Sequence, residues 1–480
     1  MGFTALDCDK YALTMMQGFW KQGRHQEKVV CDAFFRKNPF HNGYTIFAGL
    51  TSIIDYLKDL KVDEEALAFL SQDPLFEQAF IEDLKTLRFT GTVYAAREGD
   101  VIFPNEPVLR VETAMWEALL IEAQLLLLFN SQSLFATKAS RMVQAAGGKP
   151  IIELGKRRAQ GNDASIDGAR AAYLAGLVGT SNMHAGQKYG IPTVGTMAHF
   201  WIQTHDSELE AFRQYASLYG NASIFLVDTY DTLRSGVPNA IRVAKEMEQR
   251  GEKLKGIRLD SGDIAYLSKM ARNMLDEAGL SYVQIVASND LDENIIADLQ
   301  LQGAQVDVWG VGTKLITAYE QPALGGVYKV AAREKNNSYL PVIKISENPE
   351  KIPNPGIKQV YRIIDEETGK FKGDLIAMEH ERLDPTKPLH MVHPTHPYLQ
   401  KTVQSYTLYP LLTPVIEKGE AVKDLPSLEE SRSFHQQQLV RLWPEYKRRT
   451  NPEIYPVSLS NELYDLKKRL LMEKGPQVYE

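Results

Sequence analysis

The sequence is poor in cysteine and carries no excess of positive charge. Cys8 and Cys31 are its only cysteines in 480 residues, too few for a disulfide framework and too far apart for a CxxC metal site. This scarcity is typical of a reducing, cytoplasmic setting. Lysine and arginine total 54 against 61 aspartates and glutamates, a net charge of −7. An acidic surface is a poor match for nucleic acid or an anionic membrane, so we expect neither as a main partner.

Long hydrophobic runs are also scarce. The most apolar run, residues 118–129, is interrupted by Glu122 and Gln124 and is too short to span a bilayer. It lies in a helical pattern that begins at Met115 and ends near residue 146, before two glycines. We therefore expect a buried core helix. The N-terminal stretch lacks a basic start followed by an apolar stretch, so no targeting segment is expected.

Two common nucleotide-binding signatures are absent as well. The chain has neither a GxxxxGK[ST] loop nor a strand-linked GxGxxG, which argues against ordinary P-loop and dinucleotide-binding domains. It also has no internal repeat and no low-complexity tract. A chain of 480 residues exceeds one ordinary core, so two or three domains are expected.

From Pro150 onward, short apolar runs recur with helical stretches between them. The runs are PIIELG, PTVGTMAH, SIFLVDTY, GIRLDSGD, QIVASND and VDVWGVGT. Strands that alternate with helices form parallel sheets, and this number of units predicts an α/β fold with an irregular parallel barrel. We expect the barrel over residues 114–349, an N-terminal α+β domain over 1–113, and a C-terminal domain over 350–480 packed on the N-terminal one.

Polar or glycine residues follow each predicted strand. In parallel α/β barrels the site forms at the carboxyl ends of the strands, so we expect these residues to converge. They are Arg157 and Arg158, His199, Asp228 and Asp231, Asp260 and Asp263, Ser288 with Asn289 and Asp290, and Gly312 with Thr313.

These residue types suit a phosphorylated sugar bound with magnesium. Arginine forks and open glycine N–H groups bind phosphate oxygens, whereas aspartates hold Mg²⁺ or ribose hydroxyls. Simpler structural roles stay open at this point. His199 could fill a corner of the core, and Asp260 or Asp263 could cap a helix. Gly312 and Thr313 could form only a helix N-cap, although a cap and an anion site use the same N–H groups.

The order of these motifs resembles that of the nicotinate phosphoribosyltransferase family, over essentially the whole chain. The densest matches are LGKRRAQG, GTSN, YGIPTVGTMAH, LVDTYDT, GIRLDSGD and WGVGTKLITAYEQPALGGVYK, and DKYALTMMQGFW resembles the family's opening. The resemblance implies a type II phosphoribosyltransferase-like fold. It also implies a reaction of NAD salvage, in which nicotinate attacks C1 of 5-phosphoribosyl-1-pyrophosphate (PRPP), pyrophosphate leaves and nicotinate mononucleotide forms. ATP is implied as a co-substrate, and Mg²⁺ as a cofactor that accompanies PRPP and ATP.

The resemblance assigns the central chemistry to a histidine. His199 is expected to be phosphorylated by ATP, since imidazole is a nucleophile near physiological pH, and Asp228 is expected to orient its ring. Arg258 is expected near the nicotinate carboxylate, which a guanidinium fork matches well, and Thr196 is expected to contact the same substrate.

The resemblance also assigns the remaining contacts. Tyr11 is expected to stack on the pyridine ring from the neighbouring subunit of a homodimer, and Arg157 to pack on its other face or meet phosphate. Asp260 is expected to hold ribose hydroxyls, and Gly312 with Thr313 the 5-phosphate. Mg²⁺ is expected to bind largely through pyrophosphate and water, so no protein metal site is predicted.

Ser181 bears on the choice of base. Nicotinamide-specific relatives place an aspartate after the Gly-Thr pair, where this chain has Ser181. A carboxylate there would repel the carboxylate of nicotinate, so serine favours nicotinate. A nicotinamide phosphoribosyltransferase and a noncatalytic sensor of NAD metabolites remain as alternatives. A quinolinate-using enzyme would need additional cationic groups, and a metal-dependent barrel hydrolase would need paired histidines at the strand ends.

Three histidines near the C-terminal side have a spacing that could attract a metal. They are His390, His393 and His396, but Pro394 and Pro397 interrupt the element that would aim the rings together. A loop that contains histidines is therefore favoured over a metal site.

Overall fold

A computed structural model describes residues 3–423 and 425–475. In this part of the chain the α-helices are α1 (Lys10–Lys21), α2 (Leu50–Asp59), α3 (Glu64–Leu70), α4 (Gln78–Leu84), α5 (Met115–Ala145), α6 (Asn162–Leu174), α7 (Met183–Tyr189), α8 (His199–Gln203), α9 (Glu208–Tyr219), α10 (Val237–Gln249), α11 (Ile264–Glu277), α12 (Glu293–Leu301), α13 (Thr313–Ile316), α14 (Leu428–Arg441) and α15 (Asn461–Lys474).

The strands of the same part of the chain are β1 (Lys28–Phe34), β2 (Thr45–Ile46), β3 (Thr92–Ala95), β4 (Val101–Ile102), β5 (Leu109–Ala114), β6 (Ile151–Glu153), β7 (Gly179–Thr180), β8 (Ile224–Leu226), β9 (Gly256–Leu259), β10 (Gln284–Ala287), β11 (Val308–Val311), β12 (Val327–Lys335), β13 (Ser338–Pro341), β14 (Lys358–Asp365), β15 (Phe371–Met378), β16 (Leu389–Val392), β17 (Gln400–Val403), β18 (Tyr406–Pro410), β19 (Thr413–Glu417), β20 (Glu420–Ala421) and β21 (Val457–Leu459).

The long helix α5 was predicted from the apolar pattern that starts at Met115. It is long and apolar enough to cross a membrane by length and composition, yet 61% of its most apolar 18-residue window is buried inside the protein. Leu125 and Phe129 have no exposed surface. The helix therefore belongs to the protein core, as predicted.

The chain divides into two compact units. One ends at Leu134 and resumes at Ala323, whereas the other is the continuous segment Phe135–Pro322. The three-domain division at residues 113 and 349 stays a prediction; the two compact units divide after Leu134 and after Pro322.

The first unit is built on antiparallel and mixed sheets. A seven-stranded antiparallel sheet has the order β13-β12-β1-β5-β3-β19-β20, a mixed six-stranded sheet has the order β17-β16-β21-β15-β14-β18, and β2 pairs with β4. In the first sheet Thr413 of β19 pairs with Ala95 of β3, so C-terminal residues complete a sheet that N-terminal residues begin.

The second unit contains a six-stranded sheet with the order β7-β6-β11-β10-β9-β8, in which every pairing is parallel. Helices α6 to α12 separate the successive strands, as parallel neighbours require. Phe225, Ile257, Ile285 and Trp309 are fully buried on these strands and form part of the core. The predicted parallel α/β architecture is confirmed, and the carboxyl ends of all six strands lie along one edge.

One predicted strand is wrong. The run PTVGTMAH forms only an isolated parallel bridge between Thr180 and Thr193, because Pro192 lacks a backbone N–H and both Pro192 and Thr193 are exposed. His199 therefore does not end a strand but begins the short helix α8. The sixth strand is instead β7, a two-residue strand that the sequence did not mark.

Candidate active site at the strand ends

Arg258 forms the centre of a hydrogen-bonded network at the ends of β8, β9 and β10. Its Nε donates to Ser288 Oγ at 2.8 Å, one terminal nitrogen donates to Asp260 Oδ1 at 2.8 Å, and the other to Thr196 Oγ1 at 3.3 Å. The Arg258 side chain is 18% exposed, so the guanidinium is fixed while part of it still faces solvent. Three of the predicted site residues, Arg258, Asp260 and Thr196, are thus brought together.

The carboxylate of Asp260 receives several favourable contacts. Burial raises its pKa, but the Arg258 charge, hydrogen bonds from Ser288 and Arg258, and the nearby His199 together hold it below its usual value. Ser288 donates a short hydrogen bond to the same Oδ1 that Arg258 contacts. Asp260 is therefore ionised near neutral pH and is an acceptor fixed in position.

Asp228 holds the end of β9. Its Oδ2 accepts from the Asp260 backbone N–H at 2.9 Å and from Ser261 Oγ at 2.6 Å, whereas its Oδ1 is shielded from solvent and has no hydrogen-bond partner among the described residues. These contacts fix the strand-end loop that carries Asp260.

His199 is the first residue of α8 and is partly buried. Its Nδ1 lies 3.1 Å from Thr229 Oγ1, so a hydroxyl next to Asp228 holds the ring in this structure. The orientation of His199 by Asp228 remains a prediction, and Thr229 is the contact that sequence reasoning missed. The proximity of Thr229 to the predicted aspartate is the only sequence signal that could have suggested it.

The ends of β6, β7 and β11 have a different character. Glu153, the last residue of β6, accepts from the Gly155 N–H and from Thr180 Oγ1 at 2.5 Å. Burial raises the pKa of Glu153 above its usual value, although the hydrogen bonds from Thr180 and Gly155 act in the opposite direction. The chain approaches itself closely here, since a Cβ added to Gly155 would lie 2.8 Å from the Gly312 carbonyl oxygen.

Ser181, Gly312 and Thr313 lie on this same side of the sheet. Ser181 directly follows β7, is partly buried, and donates its backbone N–H to the Glu153 carbonyl at 2.8 Å. Gly312 is the N-cap of α13, and Thr313 is the first residue of that helix. The N-cap interpretation of the Gly-Thr pair is thus confirmed, and open N–H groups of this kind also suit an anion.

We name two regions of this edge. The side-chain half comprises the ends of β8, β9 and β10 with Asp228, Arg258, Asp260 and Ser288. The glycine half comprises the ends of β6, β7 and β11 with Glu153, Gly155, Thr180 and Gly312. Glu153 was not predicted as a site residue: it lies inside the run PIIELG, whereas the predicted residues, Arg157 and Arg158, follow that run.

The two arginines after β6 and the tyrosine of α1 are open to solvent. Arg157 and Arg158 lie on a short 3₁₀ helix, Lys156–Arg158, and both are exposed. Tyr11 belongs to the first unit, where its hydroxyl donates to Glu122 Oε2 at 3.2 Å and its side chain is 48% exposed.

Some of the predicted strand-end acids have structural roles. Asp263 accepts from the Tyr266 N–H at 3.0 Å and caps α11. Asp231 accepts from the backbone N–H groups of Leu233 and Arg234 at the start of a π-helix, Thr232–Gly236. The capping interpretation is therefore confirmed for Asp263, whereas Asp260 accepts from side chains at the edge.

The C-terminal histidines do not converge on a common point suited to a metal. His390 lies on β16 with Nδ1 2.9 Å from Thr402 Oγ1, and His393 Nδ1 accepts from the Thr395 and His396 backbone N–H groups. Within the described residues, no group of three or more His, Cys, Asp or Glu side chains is arranged to hold a metal ion.

Comparison with known proteins covers nearly the whole chain. Residues 6–130 match the family model described as the nicotinate phosphoribosyltransferase N-terminal domain, residues 150–362 match that of the nicotinate phosphoribosyltransferase family, and residues 357–467 match that of its C-terminal domain. Nicotinate phosphoribosyltransferase of Bacillus subtilis is 46% identical over 99% of this chain and 97% of its own length. That of Dictyostelium discoideum is 38% identical over 98% and 89%.

Comparison with solved structures points to the same family. The crystal structure of human nicotinic acid phosphoribosyltransferase matches with a TM-score of 0.85 and 30% identity, covering 96% of this chain and 99% of the human one. Nicotinate-nucleotide pyrophosphorylase from Pyrococcus furiosus matches with a TM-score of 0.69 and 24% identity over 91% and 95%, which shows a shared fold. The predicted fold, enzyme class and place in NAD salvage are thereby confirmed, and the chain belongs to the nicotinate phosphoribosyltransferase family.

Proposed function

We propose that this chain joins nicotinate to PRPP at the strand-end edge of its second unit, with ATP hydrolysis coupled to the reaction through His199. The observation that carries the proposal is the clustering of a nucleophile, a cationic fork and a fixed carboxylate. His199 contacts Thr229, the residue after Asp228, and Asp228 accepts from the Asp260 backbone N–H. The Asp260 carboxylate is in turn bonded to Arg258. These three groups are the ones that phosphoryl transfer, carboxylate binding and ribose binding respectively require.

His199 is the proposed acceptor of the ATP γ-phosphoryl group. A ring nitrogen attacks the γ-phosphorus, the bond to the departing ADP oxygen breaks, and water later removes the phosphoryl group as phosphate. Thr229 restrains the ring through its 3.1 Å contact with Nδ1. Since the transferred ribosyl group never carries this phosphate, coupling depends on His199 alone.

Nicotinate is proposed to bind beside Arg258, Thr196 and Ser181. The guanidinium suits a planar carboxylate because its N–H donors form a matching fork. Ser181 supplies no negative charge, so the substrate carboxylate is not repelled from the glycine half.

PRPP is proposed to extend from Asp260 to the glycine half. Asp260, ionised and fixed, accepts hydrogen bonds from ribose hydroxyls, while the N–H groups at Gly312 and Thr313 hold the 5-phosphate. The exposed Arg157 contacts phosphate or packs on the base. Arg158, the next residue, is assigned no particular contact with the substrate. As the C1–O bond breaks, positive charge develops on the ribose and negative charge on pyrophosphate, so positioning and charge stabilisation dominate the catalysis.

The residues at this edge fit a magnesium ion that arrives with phosphate groups. Asp228 Oδ1 accepts no hydrogen bond from the described residues and is the hard oxygen donor that Mg²⁺ prefers. Mg²⁺, when bound, supplies charge neutralisation for the leaving pyrophosphate, and Asp228 would help to hold it. No dedicated protein cage is proposed.

A homodimer with shared sites completes the proposal. The exposed ring of Tyr11 is available to stack on the pyridine ring bound by a second copy. A reducing cytoplasm suits the free thiols of Cys8 and Cys31.

The test supplies PRPP and Mg²⁺ with nicotinate or nicotinamide, each with and without ATP, and identifies the products by mass spectrometry. Nicotinate mononucleotide whose formation is stimulated by ATP is expected. His199→Ala should lose the ATP-stimulated part and the acid-labile phosphoenzyme. His184→Ala, at an exposed histidine of α7, is the matched control and should behave as wild type. Nicotinamide mononucleotide would refute the choice of base, and ligand binding without any mononucleotide would support a sensor instead.

A further inference from the structure

A cavity of about 1130 Å³ lies within the first unit. It is bordered by β1, by the 349–354 segment, by the loop after β16 and by α15, and all of its lining residues belong to that unit. Five lysines and arginines line it against three carboxylates, so its wall carries a surplus of positive charge. A volume of this size accommodates a ligand as large as a nucleotide.

Lys467 is the unusual member of this wall. It lies on α15 with 6% of its surface exposed. Among the described residues, its ammonium contacts two neutral oxygens, Asn354 Oδ1 at 2.9 Å and the Ile352 carbonyl at 3.4 Å. No described carboxylate lies within ion-pair distance of it. An ammonium has three N–H donors, so these two contacts leave one donor for a further partner.

A second lysine of the same wall shows the ordinary arrangement. Lys358 is 1% exposed, and its ammonium pairs with Asp32 Oδ2 at 2.7 Å. Buried charges in proteins are normally paired in this way, because an uncompensated charge is costly in a medium of low dielectric constant. Burial, with a smaller contribution from the Lys358 charge, lowers the pKa of Lys467 to about 8. Of the two buried lysines in this wall, Lys358 is therefore compensated, whereas Lys467 has no counterion among the described residues.

We propose that this cavity is a binding site for a phosphate-bearing anion, with Lys467 as its charged anchor. The anion supplies the missing counterion, and the neutral Thr395 and Asn354 side chains on the same wall offer further hydrogen bonds. The surplus of basic side chains favours an anion with more than one negative charge, which selects phosphate over a simple carboxylate. Free orthophosphate and the phosphates of a nucleotide share this chemistry.

Titration calorimetry with orthophosphate alone, and separately with ATP, tests the proposal on the full-length protein. Because ATP is also the proposed co-substrate at the strand ends, its titration is fitted with two sites, and the site that responds to the Lys467 variants is the one compared. Lys467→Met should weaken binding of at least one of these anions about tenfold or more, because the charged anchor is lost. Lys468→Met removes the adjacent lysine, which is exposed, and should bind as wild type does. The anion whose affinity depends on Lys467 identifies the source of the phosphate.

Asn354→Asp provides a second variant that keeps the lysine. It places a carboxylate where Asn354 Oδ1 now lies, 2.9 Å from the ammonium, and so supplies the counterion internally. It should lose anion binding as Lys467→Met does, while Lys467 stays anchored and the fold is retained. The proposal is overturned if wild type, Lys467→Met and Asn354→Asp bind each anion with the same affinity. If Lys467→Met does not fold, the same affinity in wild type and Asn354→Asp overturns it.

Discussion

The side-chain half and the glycine half occupy the same edge of one parallel sheet, yet they present different chemical groups. In the side-chain half, Arg258 is held by Ser288, Asp260 and Thr196, and it presents a charged fork. In the glycine half, the buried acid Glu153 bonds to Gly155 and Thr180 and holds the backbone there. One half therefore offers side chains to a ligand, and the other offers backbone held in place.

This difference follows from what each ligand group needs. A carboxylate or a ribose hydroxyl is recognised by a few directed side chains, whereas a phosphate is bound by several N–H groups at short range, which side chains would obstruct. The close approach of Gly155 to Gly312 leaves no room for a Cβ. The two halves together can bind the two ends of one phosphorylated substrate.

Arg258→Ala should produce the largest change in the side-chain half. The variant loses the fork for the nicotinate carboxylate and leaves Asp260 without its cation, so we expect kcat/KM for nicotinate to fall on the order of 10²–10³-fold. Arg258→Lys keeps the positive charge but not the fork, so its kcat/KM for nicotinate should fall less, roughly tenfold. Steady-state kinetics with both bases measures the effect. An alanine variant with wild-type kcat/KM would show that the nicotinate carboxylate binds elsewhere.

Ser181→Asp introduces a charge into the glycine half. The new carboxylate should repel nicotinate and lower kcat/KM for it roughly 10- to 100-fold, while nicotinamide use improves. Ser181→Asn has nearly the same size as aspartate but no charge, so it should retain the preference for nicotinate. Competition between the two bases in one reaction, with products separated by mass, gives the ratio directly. An unchanged ratio in Ser181→Asp would contradict the electrostatic explanation.

Gly155→Ala alters the backbone of the glycine half without adding charge. Its Cβ would lie 2.8 Å from both the Gly312 carbonyl oxygen and the Ile316 Cβ, so the chain must shift. We expect a loss of ~1–3 kcal/mol of stability and a KM for PRPP raised about tenfold, with little change in base preference. Gly195→Ala is the matched control for stability, since nothing lies within 4 Å of its added Cβ. Equal melting temperatures for the two variants would refute the close approach.

The comparison also shows what the sequence could predict. Five of the six predicted runs are strands of the parallel sheet, because runs rich in Val, Ile and Leu between helical stretches specify buried parallel strands. Asp260 lies at the strand-end edge as expected, since a residue directly after a parallel strand has only one edge at which to lie. Arg258 and Thr196 were expected there from the family resemblance, and both are bonded into the same network.

The parts of the sheet and of the site that were not predicted depend on contacts between distant residues, which no local sequence pattern encodes. Strand β7 has two residues, Gly179 and Thr180, and is defined by its pairing with β6 rather than by its own apolarity. The contact of Thr229 with His199 joins residues 30 positions apart in a loop and a short helix. The close approach of Gly155 to Gly312 joins residues far apart in the chain, so the sequence shows the glycines without showing which of them meet.

The smallest expected effect is a difference between Asp260 and Glu153 in how their contributions to stability depend on pH. Arg258, Ser288 and His199 hold the pKa of Asp260 below its usual value against burial, so its stabilising contribution is present above the unfolded pKa and is lost as pH falls through the folded one. Burial raises the pKa of Glu153, so its contribution is present below the unfolded pKa and is lost as pH rises through the folded one. The two acids should therefore affect stability with opposite dependence on pH.

Asp260→Asn and Glu153→Gln convert this contrast into a measurement. Asp260→Asn should destabilise the protein by ~1–2 kcal/mol at neutral pH and by less near pH 3. As pH rises, the free energy of unfolding of Glu153→Gln should increase relative to that of wild type by about 1 kcal/mol, because the amide carries no charge to be desolvated. Urea unfolding midpoints of both variants and wild type over about pH 3–8 give the slopes. Parallel slopes would mean that the two acids have similar electrostatic surroundings, and the distinction between the halves would then be one of shape alone.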